Sequence, residues 1–241
     1  MPQVKFLYDH VFEPLTDNRA VYKTVASPIV QSALDGINGT IFAYGVTSSG
    51  KTHTMMGTEQ VPGIVPHAIA EVFRTITRTP GKEFLLRLSM MEIYNEVGWG
   101  PWRRVEALAA ALHVSCGSAA PARASADRAE GMADPNLRLG RTLSFLNLID
   151  LAGSESAKAE VNRSQRMEGS FINKSLLTLG TVIHKLSEGK AVHIPFRDSK
   201  LTRLLQGSLT GSGARIAVIC TITPASTQAE ETHNTLKFAS R

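Results

Sequence analysis

The chain has 241 residues, 43% of them apolar and 20% charged, with a formal net charge of +5. This length and balance exclude a disordered or fibrous chain and suit a single α/β domain with a sizeable core. Cys116 and Cys220 are too few and too far apart for a disulfide framework or a zinc knuckle, no stretch approaches the roughly 18 apolar residues of a membrane span, and the positive balance favours acidic partners without choosing among them.

In chain order, Phe6 to Phe12 reads as a strand, broken by Glu13 and Pro14. A helix follows that Thr16 or Asp17 can cap. Its apolar face carries Val21, Val25, Ile29, Ala33 and Ile37, and Pro28 predicts a kink or split near Ser27. Asp35-Gly36 and Asn38-Gly39 turn the chain into Thr40 to Tyr44, a short β-branched and aromatic run that predicts a buried strand.

Directly after that strand come Gly45, Val46, Thr47, Ser48, Ser49, Gly50, Lys51 and Thr52, which have the spacing of a phosphate-binding loop. Glycine permits backbone N–H groups to crowd around phosphate oxygens, Lys51 supplies a point charge for the β and γ phosphates, and Thr52 offers a hydroxyl to Mg²⁺.

Beyond the loop, a short helical stretch ends at Met55-Met56-Gly57, and Ile69, Val72, Phe73 and Ile76 mark a helix starting near Pro66. Phe84 to Tyr94 predicts a strand. Residues 98 to 141 are about one quarter alanine with little periodicity and read as a loop or poorly ordered insert, in which only Arg104 to Leu112 has a helical pattern. Leu143 to Ile149 predicts a strand that delivers Asp150 to its end, followed by a polar loop reaching Glu168. Ile172, Leu176, Leu179, Ile183 and Leu186 form the stripe of a long helix from about Gly169 to Leu186. A short helix with Leu201, Leu204 and Leu205 follows, capped by Asp198 or Ser199. Ala214 to Thr223 has the continuous apolarity of a central strand covered on both faces, and the capping box Thr227 to Glu230 opens a last helix ending near Phe238.

Asp150 and Gly153 form a second signal: a carboxylate at a strand end for the Mg²⁺ shell, and a glycine N–H for the γ-phosphate. Asn173-Lys174 continues with Ser175-Leu176 rather than with the aspartate of a guanine-reading motif, so GTP specificity is not supported. The expected fold is α/β, a P-loop NTPase with a central mixed, mostly parallel sheet and helices on both faces.

The chain resembles the kinesin motor domain in five blocks in the same order: Gly39 to Met55, Leu146 to Glu155, Ile172 to Gly180, Ile194 to Leu205 and Glu231 to Arg241. The form of its phosphate loop and Ile222 to Ser226 are most similar to the class that includes centromere protein E and plant relatives. The resemblance covers residues 6–97 and 142–241 and implies a microtubule motor in the cytoplasm and cytoskeleton, with ATP and Mg²⁺ as cofactors and a coiled-coil dimer in the full-length relative. It implies that Gly45 to Thr52 bind ATP–Mg²⁺, with Thr52 a metal ligand, Asp150 acting through a metal-bound water and His53 near the base. It also implies that Gly153 senses the γ-phosphate and Glu155 relays this to the long helix. That helix and His193 to Arg203 would face the microtubule, with Lys185, His193, Arg197, Lys200 and Arg203 meeting acidic tubulin. A nucleic-acid partner is not expected, because only Phe196 is interleaved among these cations and no base-reading motif occurs.

The chain also departs from that family. Nothing in residues 98 to 141 matches the family's first switch, whose serines and arginine help to position water and stabilise charge. The sequence therefore carries an alternative expectation, a catalytically dead nucleotide- or tubulin-binding remnant. Neither the family's first strand nor its neck linker is matched.

Overall fold

Alternation along two adjacent strands decides the architecture. In β1 (Gly39–Tyr44) and β4 (Thr142–Leu151), Ile41, Ala43, Leu146 and Leu148 point into one apolar cluster, whereas Phe42, Ile149 and Leu151 point into another. Side chains on a strand alternate between faces, so both faces of this sheet require cover. The computed structural model describes residues 5–93, 107–118, 142–155, 163–189, 193–210 and 213–240.

One face is covered by α1 (Asn18–Val21), a π turn (Tyr22–Ala26), α2 (Ser27–Leu34), α3 (Lys51–Met55) and α4 (Ile64–Arg78). The other is covered by α5 (Arg163–Glu188) and α6 (Lys200–Thr210), the latter preceded by a 3₁₀ turn at Phe196–Asp198. The remaining elements are β2 (Lys82–Ile93), β3 (Ala107–Ser118), β5 (Arg215–Cys220), a 3₁₀ turn at Ser226–Gln228 and α7 (Ala229–Ala239). The strands order β2-β3-β4-β1-β5. Parallel pairing belongs to β1, which pairs with β4 and β5, whereas β3 is antiparallel to both of its neighbours. The sheet is thus mixed, with the parallel pairs around the phosphate loop.

Pro28 acts as the sequence predicts. It stands in the first turn of α2, just beyond a π turn that gives the helix its break, and Asp17 caps α1 by accepting from the Ala20 N–H at 2.7 Å. Ser199 rather than Asp198 caps α6, accepting the Thr202 N–H at 3.1 Å.

Several expectations are corrected. Phe6 to Phe12 forms no strand; it is an extended strap held by side chains, with Phe6 against Tyr8 and His233 and the Tyr8 hydroxyl donating to the Leu236 carbonyl at 2.9 Å. Within the stretch read as a loop or a helix, residues 107–118 form β3, which fills the sheet between β2 and β4. The long helix starts at Arg163, because helix-forming Gln, Arg and Met extend it beyond its apolar stripe. β5 does pack on both faces, Ile216 and Val218 on one and Ala217 and Ile219 on the other, but it lies at the sheet edge and is only half-buried. The capping box is not formed: the 3₁₀ turn intervenes and Gln228 precedes α7 without a side-chain cap.

Candidate functional site

The parallel register sets Ala43 of β1 beside Asp150 of β4, so the phosphate loop and the carboxylate leave the sheet at the same edge. Ligands of open α/β sheets bind outside such carboxyl ends. The loop's curvature is written in its dihedrals: Ser48 has φ 63°, and Gly50 has φ 105° immediately before α3. Gly45, at φ 153°, has no room for a Cβ, which would overlap the Thr221 carbonyl. Successive turns of this hand direct N–H groups into a concavity that suits an anion.

Lys51 is buried, 7% exposed, and its ammonium donates to the carbonyls of Gly45 and Val46 at 2.9 Å each. Burial pulls its pKa down, partly offset by the carboxylates of Glu155 and Asp150. The Thr52 hydroxyl donates to Asp150 Oδ2 at 2.6 Å. Burial raises the Asp150 pKa, opposed by this hydrogen bond and by the charge of Lys51. The other oxygen, Oδ1, is buried without a partner.

Beyond β4 the chain folds back onto the loop. Ser154 N–H donates to the Gly45 carbonyl at 3.0 Å, and the Glu155 carboxylate accepts from the Thr47 N–H at 2.8 Å and from the Thr47 hydroxyl. Burial works to raise the Glu155 pKa, but these donors outweigh it and hold the carboxyl below its ordinary value. Gly153 sits so close that an added Cβ would overlap both Thr47 Oγ1 and the Glu155 carboxylate. The structure thus brings Gly45, Val46, Thr47, Lys51, Thr52, Asp150, Gly153 and Glu155 into one cluster, with Ser48 and Gly50 shaping the loop.

Some residues of the site carry no motif. Thr221, just past β5, donates its N–H to the Tyr44 carbonyl at 2.9 Å and meets the Ser49 hydroxyl at 2.6 Å, bracing the loop from its far side. Asn18 is buried and donates to the His53 carbonyl at 2.9 Å, tying α1 to α3. An isolated threonine and an isolated asparagine give no spacing to read; only the fold makes them neighbours.

The basic residues form a separate group. Lys185 donates from its ammonium to the His193 carbonyl at 3.0 Å, which fastens the end of α5 to the segment before the 3₁₀ turn. His193, Arg197, Lys200 and Arg203 are exposed around a buried anchor of Phe196, Ser199 and Thr202, in which the Thr202 hydroxyl donates to the Phe196 carbonyl at 2.8 Å. Lys174, Leu177 and Leu204 are exposed on α5 and α6 as well. Lys190 lies outside the described residues.

The chemistry of the first cluster fits a magnesium nucleotide. A hydroxyl and a carboxylate within hydrogen-bond distance, one carboxylate oxygen buried and unpartnered, are hard oxygen donors of the kind Mg²⁺ takes one or two at a time while phosphates and waters complete its octahedron.

A family model described as the kinesin motor domain matches residues 1–99 and 124–241. A chloroplastic kinesin-like protein of rice, KIN-7K, is 50% identical over 280 aligned positions that include 100% of this chain and 26% of that protein. A mitochondrial kinesin-like protein of Arabidopsis thaliana, KIN-7D, is 49% identical over 280 positions, with 100% and 26% covered. The alignments are longer than the 241 residues here, so these relatives carry residues with no counterpart in this chain. Among solved structures, the KIF14 motor with ADP in complex with a microtubule superposes with TM-score 0.79 at 32% identity, over 100% of this chain and 84% of that one. The motor domain of the Saccharomyces cerevisiae kinesin-related protein Kar3 gives 0.78 at 32%, over 98% and 83%.

Proposed function

This chain belongs to the kinesin motor-domain family, and on that premise we propose that it is an ATP-hydrolysing microtubule motor head. It spans about a quarter of the length of the curated relatives it matches, so the activity proposed is that of the head. The observation that carries the reading is the meeting at 2.6 Å of Thr52, in the helix that the phosphate-binding loop enters after β1, with Asp150, on the adjacent parallel strand β4.

When bound, ATP with Mg²⁺ supplies the transferable phosphoryl group and the cation that neutralises its charge. The residues of the chain bind and position. Thr52 and Asp150 would hold the Mg²⁺ with their oxygen atoms. Lys51 keeps a buried positive charge at the loop, and its two carbonyl partners are weaker acceptors than phosphate oxygens. The N–H groups of the loop and of Gly153 would receive the phosphate oxygens. Positioning and charge stabilisation are the main protein contributions to phosphoryl transfer. Glu155 and Ser154 latch the segment after β4 to Thr47 and Gly45, so a change at the loop acts directly on Ser154 and Glu155. The exposed cations Arg197, Lys200 and Arg203, with Lys185 and His193, give the α5–α6 face a charge that suits acidic tubulin, which supports the reading of a microtubule partner.

The partner half of this reading is tested by co-sedimentation with microtubules. Replacing Arg197, Lys200 and Arg203 together by alanine should weaken binding by about tenfold or more, as loss of several interfacial charges does, and added salt should weaken the parent chain in the same direction. Equal pelleting of parent and variant at every salt concentration would overturn the assignment of this face.

A further inference from the structure

The turn between α4 and β2 carries a sequence that the nucleotide site and the basic face do not use: Thr79-Pro80-Gly81-Lys82. Thr79 caps the C-terminus of α4 in a non-helical conformation, φ −116° and ψ 71°, with its N–H on the Ile76 carbonyl at 3.2 Å. Its hydroxyl donates to the Thr75 carbonyl at 2.7 Å. Pro80, Gly81 and Lys82 are exposed, and Gly81, at φ 86°, has open space around it. The chain has two other hydroxyl–proline pairs among its described residues. Ser27-Pro28 opens α2, with Val30 at the third position. Thr223-Pro224 is followed by Ala225 and Ser226 and lies against α7, where Thr223 accepts from the Thr232 hydroxyl through its carbonyl at 3.2 Å. Only Thr79 combines a proline, a cation three residues on and an exposed turn.

We propose that Thr79 is a phosphorylation site for a proline-directed protein kinase. A kinase of this class reads an extended hydroxyl–proline pair, whose proline needs no N–H partner, and an acidic pocket takes the cation that Lys82 presents. In the transfer, Thr79 Oγ attacks the γ-phosphorus of the kinase's ATP. The new O–P bond forms as the bond to the β-phosphate oxygen breaks, ADP leaves, and the hydroxyl proton passes to the kinase's catalytic base.

The consequence is local and has a definite sign. Esterified Thr79 has lost the hydrogen it donates to the Thr75 carbonyl, and it adds a charge of about −1.5 to −2 at the negative end of the α4 dipole. The last turn of α4 is therefore destabilised. That turn includes Ile76, which packs on the core, and Thr75, which accepts from Gln31 of α2 at 3.5 Å.

The test is incubation of the purified chain with a cyclin-dependent kinase and ATP, with the modified residue mapped by mass spectrometry. One phosphate is expected at Thr79, none on Thr79→Ala, and a rate lower by roughly tenfold for Lys82→Ala, the loss expected for one charge-assisted contact. Lys82 is exposed, so that variant keeps the fold. Hydrogen exchange should quicken across residues 76–82 in the phosphorylated chain. Phosphate placed on Ser27 or Thr223 instead, no incorporation at all, or equal rates for the parent and Lys82→Ala would overturn the proposal.

Discussion

At the residue scale, Lys51 shows how a site is prepared. Its ammonium is buried against two backbone carbonyls and depressed in pKa by that burial, while the carboxylates of Glu155 and Asp150 lie close enough to favour its charge. It therefore has a structural part, gathering the start of the loop, beside the part proposed for it in meeting phosphate. Lys51→Ala should lower affinity for a non-hydrolysable ATP analogue by at least about tenfold, since charge-assisted contacts are worth about 1.5–3 kcal/mol. Equilibrium binding in the presence of Mg²⁺ measures this, and unchanged affinity would remove Lys51 from the site. The glycines, Lys51, Thr52 and Asp150 were legible in the sequence because short spacing alone places them. Thr221 and Asn18 were not, because their partners Ser49 and His53 are distant in sequence and reached only through the sheet and a helix contact.

At the element scale, the helices that carry the loop's support are locked by one carboxylate. Glu71 on α4 accepts from the Tyr22 hydroxyl at 2.6 Å, from the Ser27 hydroxyl at 2.9 Å and from the Gln31 amide. Burial works to raise its pKa, but these donors and Arg74 hold it below its ordinary value. A folded-state pKa below the unfolded one contributes stability that is present above the unfolded value, near 4.3, and is lost as pH falls through the folded value. Glu71→Ala leaves three donors without their acceptor, at a cost of about 1–3 kcal/mol. Urea unfolding should show that loss at neutral pH and a smaller one in acid, where the parent has already protonated Glu71. Equal midpoints at both pH values would contradict the lock. Sequence patterning found α2, α4, α5 and β4, whose apolar patterns are sustained, and β1, whose short run is β-branched and aromatic. It missed β3, whose alanines have little period, and it read the Phe6 to Phe12 strap as a strand because aromatic alternation there serves side-chain packing on α7 rather than a hydrogen-bonded ladder.

At the scale of the whole molecule, the ends of the strands and one face of the sheet carry separate groups of polar residues. The strand ends gather the phosphate loop, Asp150 and Glu155, while α5 and α6 cover one face and present the exposed cations outward. The segment after β4 is fastened to the loop at Gly45 and Thr47. This arrangement was largely legible, since the motif blocks lie on the elements that meet. The strand order was not, because no local pattern says that β1 stands between β4 and β5. The central claim is that nucleotide turnover in this head is coupled to microtubules. Phosphate release from ATP by the purified chain, measured with and without polymerised tubulin, tests it most directly. Turnover above background that rises as microtubules are added is the expected result; no phosphate release above background in either condition, or release indifferent to microtubules, would contradict the proposed coupling.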